Sequence, residues 1–252
     1  MVSYRSSTIS SKLVKTKWLL DGGAIQSYVP KTVAFNYSNL KAMFALYPTV
    51  YFKPINGSGG FNIVRIKKLG NSYQMQHDSA KSNYLSFDVL YAKLSKRAKQ
   101  RPYLLQKGIN LATASGRPFD IRVMVQKANT GAWKSTGVFT KIGRPGKVAT
   151  NYNQGGTIGY FPQTMLKAGF SKETIQKKDQ ELRRLGEAVG RKFDRHSSGF
   201  RELGLDVALD GSGRAWILEV NTRPQFYPLK NMVDKSLYQR IISYSRQYGR
   251  TK

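Results

Sequence analysis

The chain has 252 residues, 40% of them hydrophobic, which is enough to bury the core of one large domain or of two coupled lobes. It carries 42 lysines and arginines against 14 acidic residues, so its net charge is +28 and an anionic partner is expected. The absence of cysteine excludes disulfides, thiolate zinc sites and thiol catalysis. No apolar run reaches the roughly 18 residues of a membrane-spanning helix, and the first twenty residues lack the apolar centre of a secretory signal.

The predicted elements of the first half alternate between helices and short strands. In chain order they are a lead-in over residues 1–30 with a helix or strand at Lys12–Leu20, a helix at Ser38–Tyr47, strands at Val50–Phe52, Phe61–Leu69 and Ser72–His77, and an amphipathic helix at Ser86–Gln100. Glycines 57, 59 and 60 interrupt the strands and predict a loop between the first two.

The second half contains longer strands and one long helix. The predictions are strands at Tyr103–Gln106, Phe119–Gln126 and Trp133–Ile142, a helix from Ser171 to about Phe193, a hairpin of Leu203–Leu209 with Ala215–Val220, and a closing helix at Leu237–Tyr248. Antiparallel groups of strands with helices between them predict an α+β fold rather than a regular βαβ alternation.

A lysine followed by a glycine-rich loop is the first candidate for chemistry. Lys53 ends a predicted strand, and Asn56-Gly57-Ser58-Gly59-Gly60 follows. Glycines let backbone N–H groups approach phosphate oxygens, and the lysine adds a positive charge. An ordinary hairpin turn explains the same residues about equally well. The segment is not a Walker A loop, because no Gly-Lys-Ser/Thr and no helix follow at the required spacing.

A cluster of acids is the second candidate, because acids are scarce in this chain. Four of the 14 lie within eighteen residues, at Glu202, Asp206, Asp210 and Glu219. Glu219 and Asn221 alternate onto one face of their strand. Asp206, Glu219 and Asn221 then form a set of oxygen ligands suited to Mg²⁺, although a solvated surface hairpin is the simpler alternative. Asp210 is assigned to the turn.

Two further features leave their roles open. Asp120 and Arg122 share a strand face, where they could form an ion pair or Arg122 could face a phosphate. Basic residues also line the two predicted helices around positions 93–101 and 177–192. Such runs are usually solvated faces, but together they could attract a polyanion.

The order of these motifs resembles the ATP-grasp superfamily. The segments Val50-Tyr51-Phe52-Lys53-Pro54-Ile55-Asn56-Gly57-Ser58, Phe119-Asp120-Ile121-Arg122-Val123 and Trp216-Ile217-Leu218-Glu219-Val220-Asn221-Thr222-Arg223-Pro224 are most similar to its YheC/YheD-like, endospore-coat-associated branch. The resemblance implies an ATP-grasp fold in which two α+β subdomains clamp ATP. The smaller would span residues 31–105 with a glycine-rich lid, and the larger residues 106–252 with the metal site.

The resemblance also implies roles for individual residues. Lys53, Arg122 and Arg223 would be the catalytic cations, with Lys53 binding the nucleotide phosphates and Arg122 supporting phosphoryl transfer. The implied ligands of ATP are Lys53, Gly57, Ser58, Gly59, Gly60, Gln106, Lys107 and Ile109, and those of Mg²⁺ are Asp206, Glu219 and Asn221. The segment Asn151–Gly156 would lie near the active site.

The implied reaction converts a carboxylate into an acyl phosphate, which an amine or thiol then displaces. The expected substrate is anionic or peptidic. Two departures from the family pattern bear on this. Asn62 stands where relatives usually have the last loop glycine. Only about thirty residues precede the smaller subdomain, so most of the N-terminal pre-ATP-grasp domain of relatives is expected to be missing, and a partner protein could complete the acceptor site.

Two other functions remain open from the sequence. The chain could bind nucleotide without ligation, as a protein associated with the spore coat or another polyanion, or it could bind nucleic acid. A cytoplasmic or spore-associated location is expected. Self-repulsion at a net charge of +28 argues against close self-association.

Overall fold

Two antiparallel sheets organise the chain in its computed structural model, which describes residues 3–148, 150, 152 and 155–251. The first sheet has the spatial order β1-β6-β2-β3-β4-β5, formed by β1 (Thr32–Ala34), β2 (Thr49–Pro54), β3 (Val64–Leu69), β4 (Ser72–His77), β5 (Ala80–Tyr84) and β6 (Tyr103–Lys107). The second has the order β10-β9-β8-β11-β12 with β7 beside β8, formed by β7 (Thr113–Ala114), β8 (Arg117–Lys127), β9 (Trp133–Ile142), β10 (Thr157–Tyr160), β11 (Glu202–Leu209) and β12 (Ala215–Asn221).

The helices cover these sheets. They are α1 (Lys12–Leu20), α2 (Tyr37–Leu46), α3 (Phe87–Ala98), α4 (Phe161–Lys167), α5 (Lys172–His196) and α6 (Ser236–Arg246), with 3-10 helices at Ala24–Tyr28 and Tyr227–Asn231. Side chains cap four of them. Ser11, Asn36, Ser86 and Ser171 each accept a hydrogen bond from the backbone N–H three residues on, which satisfies a donor that the first turn leaves unpaired.

Each lobe has its own hydrophobic core. In the smaller lobe, α2 and α3 bury Leu40, Leu90 and Leu94 against the first sheet. In the larger lobe, α5 buries Leu182 and Phe193 on one face of the second sheet. The other face of that sheet is covered in part by α6 and in part left open toward the smaller lobe. That open part carries the polar residues described below.

The lead-in packs on the larger lobe. Backbone N–H groups of Arg5 and Ser7 donate to carbonyls of Tyr248 and Gly199 at 2.9 and 2.8 Å. Further along, Leu19 of α1 is buried in the core of the larger lobe. Residues 3–30 are therefore an integrated part of the larger lobe and not a loose extension.

The α+β fold predicted from the sequence is confirmed, and most elements lie within two or three residues of their predicted ends. Lys12–Leu20 is helical. The sequence did not predict the short strands β1, β5, β7 and β10 or the short helix α4. The strands of the first sheet continue to Lys107, two residues beyond the predicted end of the smaller subdomain. None of the described helices is long and apolar enough to cross a membrane.

Close packing of α5 on the sheet gives a test of the fold. A Cβ at Gly190 would lie 2.5 Å from the ring of Trp133. That ring cannot retreat easily, because its Nε1–H donates to Asp194 at 2.8 Å. We expect Gly190→Ala to lower the free energy of unfolding by about 1–3 kcal/mol, the usual cost of overpacking.

Urea denaturation measures this change. Gly211→Ala is the control, because nothing lies within 4 Å of the Cβ it would add. Equal stability of the two variants would contradict the packing described for α5.

Candidate functional site

A row of charged side chains crosses three strands of the larger lobe. Arg122 of β8 lies opposite Asp206 of β11, and Asp206 lies opposite Glu219 of β12. Opposed residues of antiparallel strands present their side chains on the same face. The row therefore faces the cleft between the lobes.

Asp206 is the centre of a buried ionic network. Its Oδ1 accepts from Arg122 Nε at 2.7 Å and lies 2.9 Å from Lys141 Nζ. The same ammonium lies 2.9 Å from Oδ1 of Asp120. Burial alone would raise the pKa of Asp206, but Arg122 and Lys141 outweigh it and hold that pKa well below its usual range.

Asp120 responds differently to the same surroundings. Burial raises its pKa, and the nearby negative charge of Asp206 adds to the rise, while Lys141 and the hydroxyl of Thr150 oppose it. Asp120 and Arg122 share a face, as the alternation predicts, but they do not pair with each other. Asp120 pairs with Lys141, and Arg122 pairs with Asp206.

The three predicted Mg²⁺ ligands lie together on this face. Asn221 Nδ2 donates to Asp206 Oδ2 at 3.0 Å. Glu219 Oε1 lies 3.5 and 3.4 Å from the ammonium groups of Lys12 and Lys15. Within the described part of the chain no group of three or more acidic or histidine ligands occurs. A cation here would depend on two carboxylates and the amide oxygen of Asn221, a set that suits Mg²⁺ with phosphate and water oxygens filling its shell.

Lys53 projects into the cleft from the smaller lobe. Its ammonium donates to Gln106 Oε1 at 2.6 Å, and desolvation lowers the pKa of Lys53 to about 8. Gln106 in turn donates from Nε2 to the carbonyl of Leu218 at 3.3 Å, which links the two lobes.

An apolar slot continues from Lys53. The predicted hinge residues Gln106, Lys107 and Ile109 all line it. Its other apolar walls are Tyr51, Ile63, Leu111, Val148 and Leu218, and its polar end is lined by Lys53, Asp120, Thr150, Asp206 and Glu219. A slot with apolar walls and a few polar edges fits a flat heteroaromatic ring.

The glycine-rich loop closes the cleft from the other side. Gly57, Gly59 and Gly60 have φ values of 118°, 74° and 76°, a region open to glycine at little cost. Asn62 follows with φ of 59°, and asparagine is among the few other residues that adopt this conformation readily. Asn62 therefore adopts the left-handed backbone conformation that a glycine would take at this position. Ser58 and Gly59 line a cavity together with Arg122, Asp206 and Glu219.

Arg223 lies on the side of the cleft away from the slot. Its guanidinium stacks on the ring of Tyr4 with 4.8 Å between the guanidinium carbon and the ring centroid. It lines two neighbouring cavities with Glu219 and Tyr227. Of the predicted segment Asn151–Gly156, residues Asn151, Asn153 and Gln154 lie outside the described residues.

Sequence reasoning missed four residues that complete the site. They are Lys12, Lys15, Lys141 and Thr150. Only 4% of the surface of Lys15 is exposed, which is unusual for a lysine. This burial is visible only in the folded structure. The one sequence signal for Lys141 was a lysine near the end of the predicted strand Trp133–Ile142, which follows the strand of Asp120.

The antiparallel lobes, the loop between β2 and β3 and the charged row define the ATP-grasp fold. A sequence profile of the YheC/D like ATP-grasp family matches residues 2–251, and the chain belongs to that family. The resemblance seen in the sequence is thereby confirmed.

Comparison with known proteins adds two curated relatives and a solved structure. Endospore coat-associated protein YheD of Bacillus subtilis (strain 168) is 27% identical over 184 residues, covering 71% of this chain and 40% of YheD. Endospore coat-associated protein YheC of the same strain is 25% identical over 210 residues, covering 79% of this chain and 56% of YheC. The chain therefore spans about half the length of these relatives.

The solved structure shares the fold. N5-carboxyaminoimidazole synthetase from Staphylococcus aureus, crystallised with ADP, superposes with a TM-score of 0.56 over 94% of this chain and 52% of the synthetase, at 14% identity. This likeness confirms the ATP-grasp architecture.

Lys141 offers a test of the ionic network. We expect Lys141→Met to lower the free energy of unfolding by about 3–5 kcal/mol, because it leaves Asp120 and Asp206 buried without their shared cation. A second change, Asp120→Asn, should restore part of the loss by removing one of the two charges.

Chemical denaturation at neutral pH measures the change. Lys134→Met is the matched control, since Lys134 is an exposed lysine of the same strand. A Lys141→Met variant as stable as Lys134→Met would disprove the network.

Proposed function

We propose that the protein is an ATP- and Mg²⁺-dependent ligase that joins a carboxylate to an amine, or to a thiol, through an acyl phosphate. The single observation that carries this proposal is the charge balance of the cleft. Among the described residues, three carboxylates share the cleft with eight cations: Asp120, Asp206 and Glu219 against Lys12, Lys15, Lys53, Lys107, Arg122, Lys141, Arg223 and Arg250. A site with such an excess of positive charge favours a polyanion such as a triphosphate.

The shape of the cleft supports a nucleotide in one orientation. The apolar slot would hold the base, and Lys53 lies between the slot and the charged row, where the phosphates would follow. The glycine-rich loop offers backbone N–H groups from the side opposite Arg122. The ADP in the Staphylococcus aureus synthetase, a protein of the same fold, agrees with a nucleotide role.

Asp206, Glu219 and Asn221 would hold Mg²⁺. When bound, the ion would neutralise charge on the phosphates and orient the terminal one for transfer. Cations of the chain itself would also neutralise phosphate charge. Arg122 and Lys141 stand beside the same carboxylate and stabilise negative charge on the phosphoryl group as it moves.

In the proposed reaction, a carboxylate oxygen of the substrate attacks the terminal phosphorus of ATP, and ADP leaves. An amine nitrogen then attacks the acyl carbon and loses one proton, and inorganic phosphate leaves with the bonding electrons of the broken C–O bond and takes up that proton. The closed loop excludes water, which would otherwise hydrolyse the acyl phosphate. Arg223 lies where the substrate carboxylate would enter, on the far side of Glu219 from the slot.

The second candidate function is binding without ligation, on a spore coat or another polyanion. A specific observation favours it: Asp206 and Glu219 are already compensated by four cations of the chain itself, so the carboxylates have a structural role even without a metal. The names of the Bacillus subtilis relatives agree with an association of this kind with the spore. Nucleic acid binding, the third alternative, would depend on the net charge of +28, because Lys177, Lys178 and Arg183 of α5 pair with acids of the same helix.

Metal-dependent nucleotide binding separates these functions. Isothermal titration with ATP should show binding that Mg²⁺ strengthens. We expect Glu219→Gln to weaken the Mg²⁺-dependent component of the ATP affinity at least about tenfold. Even the loss of a residue that only hydrogen-bonds to a metal ligand typically costs that much. Glu173→Gln is the isosteric control on an exposed glutamate of α5.

Unchanged affinity in Glu219→Gln would remove the proposed metal site. Binding of ATP that ignores Mg²⁺ in the unaltered protein would favour the second function over the first.

Turnover tests the reaction itself. Phosphate release should rise when ATP and Mg²⁺ are combined with the correct pair from a panel of amino acids, short peptides and polyanionic acceptors. Lys53→Met should lower the rate at least about a hundredfold, because it removes a cation from the transferring phosphate. Release that is equal with and without every acceptor would count against ligation.

A further inference from the structure

The glycine-rich loop is held from outside its own lobe. The backbone N–H of Lys12 donates to the carbonyl of Ile55 at 2.9 Å, and its ammonium donates to the carbonyl of Gly57 at 2.6 Å. Just before α1, the hydroxyl of Ser10 donates to Asn56 Oδ1 at 3.3 Å. Three consecutive loop residues are therefore bonded to the start of α1.

The start of α1 is itself fixed to the larger lobe. The N–H of Ile9 donates to the hydroxyl of Thr222 at 2.9 Å, one residue beyond β12. At the other end of the helix, Leu19 is buried in the core of the larger lobe. A bond from Lys12 to the loop is therefore a bond between the lobes across the cleft.

The ammonium of Lys12 also reaches the charged row. It lies 3.5 Å from Glu219 Oε1, while donating to the carbonyl of Gly57. An ammonium has three N–H donors and can satisfy both acceptors at once. One side chain thus joins the tip of the loop to a carboxylate that we assign to the Mg²⁺ site.

We propose that Lys12 is a positioning residue that latches the glycine-rich loop over the cleft. This inference rests on the proposed function, in which the loop covers a nucleotide. Lys12 does not touch the reacting atoms. Its ammonium holds the glycine-rich loop in position and also contacts Glu219. The position of the loop therefore depends on the same carboxylate that would bind the metal.

The neighbouring lysines of α1 do not share this role. Lys15 is buried and its ammonium pairs with Glu219, with no hydrogen bond to the described residues of the loop. Lys17 points to solvent on the same helix. Lys12→Met keeps the backbone bond to Ile55 and most of the side-chain volume, and it removes only the ammonium. The variant therefore isolates the latch from the packing of α1.

Spin-label distances measure the latch directly in the full chain. The protein has no cysteine, so Phe61→Cys on the loop and Leu166→Cys on α4 of the larger lobe give two unique labelling sites, both exposed. In the ligand-free protein we expect one dominant distance. Adding Lys12→Met should raise the population with a displaced loop about tenfold, the factor expected for loss of one hydrogen bond to a charged group.

The controls separate a latch from a general loss of structure. Lys17→Met should leave the distances unchanged, and Lys12→Arg should restore most of the closed population, because arginine still donates to both acceptors. The urea midpoint of Lys12→Met should stay near that of the unaltered protein. Its affinity for a non-hydrolysable ATP analogue with Mg²⁺ should fall by a similar factor of about ten.

The latch and the proposed function can fail independently. If Lys12→Met has the same distance distribution and the same analogue affinity as the unaltered protein, the latch is overturned. If the unaltered protein does not bind the analogue, the proposed function fails, and the distances in the ligand-free protein alone then decide whether Lys12 holds the loop.

Discussion

One buried carboxylate organises the cleft. Asp206 is compensated by Arg122 of the adjacent strand β8 and by Lys141 of β9, the strand beyond β8, and Lys141 is shared with Asp120. Water cannot stabilise these charges, so each is tolerated only while its partners stay in place. This requirement fixes the mutual position of three strands. Glu219 lies on β12, the next strand after β11, and faces the cleft because β12 pairs with β11 in register. The position of the oxygen atoms that we assign to Mg²⁺ therefore depends on the same ion pairs.

Around this centre the two lobes contribute different things. The larger lobe supplies the carboxylates and a rigid sheet, whereas the smaller lobe supplies Lys53 and the glycine-rich loop. Among the described residues, the bonds that cross between them include those of Gln106 and Lys12, which line one small cavity, and one from Gln76 Nε2 to the carbonyl of Gly146 at 2.7 Å. The first residues of the chain, which belong to the larger lobe by packing, therefore take part in the relation between the lobes.

Much of this could be predicted from the sequence, because it depends on local patterns. Strict alternation placed Asp120 and Arg122 on one face of β8, and Ser171 marked the start of α5. Other parts depend on β-bulges, which no local pattern reveals. In a regular strand, Lys141 would lie on the same face as Trp133, which is the core face. The bulge opposite Met124 and Val125 shifts the alternation by one residue, so Lys141 faces the cleft beside Asp120. The lysines of α1 were missed for a different reason, since their contact with Glu219 joins residues about two hundred positions apart.

The second bulge has a consequence of its own. Between Ile217 and Glu219, Leu218 has no partner of its own in β11, so two successive side chains face the cleft: Leu218 in the apolar slot and Glu219 in the charged row. A regular strand would have to turn one of them into the core. Deleting Leu218 from β12 would keep Asp206 and Glu219 opposite each other, but it would remove one apolar wall of the slot. Insertions and deletions, more than exchanges of one side chain for another, are thus the changes this strand tolerates least.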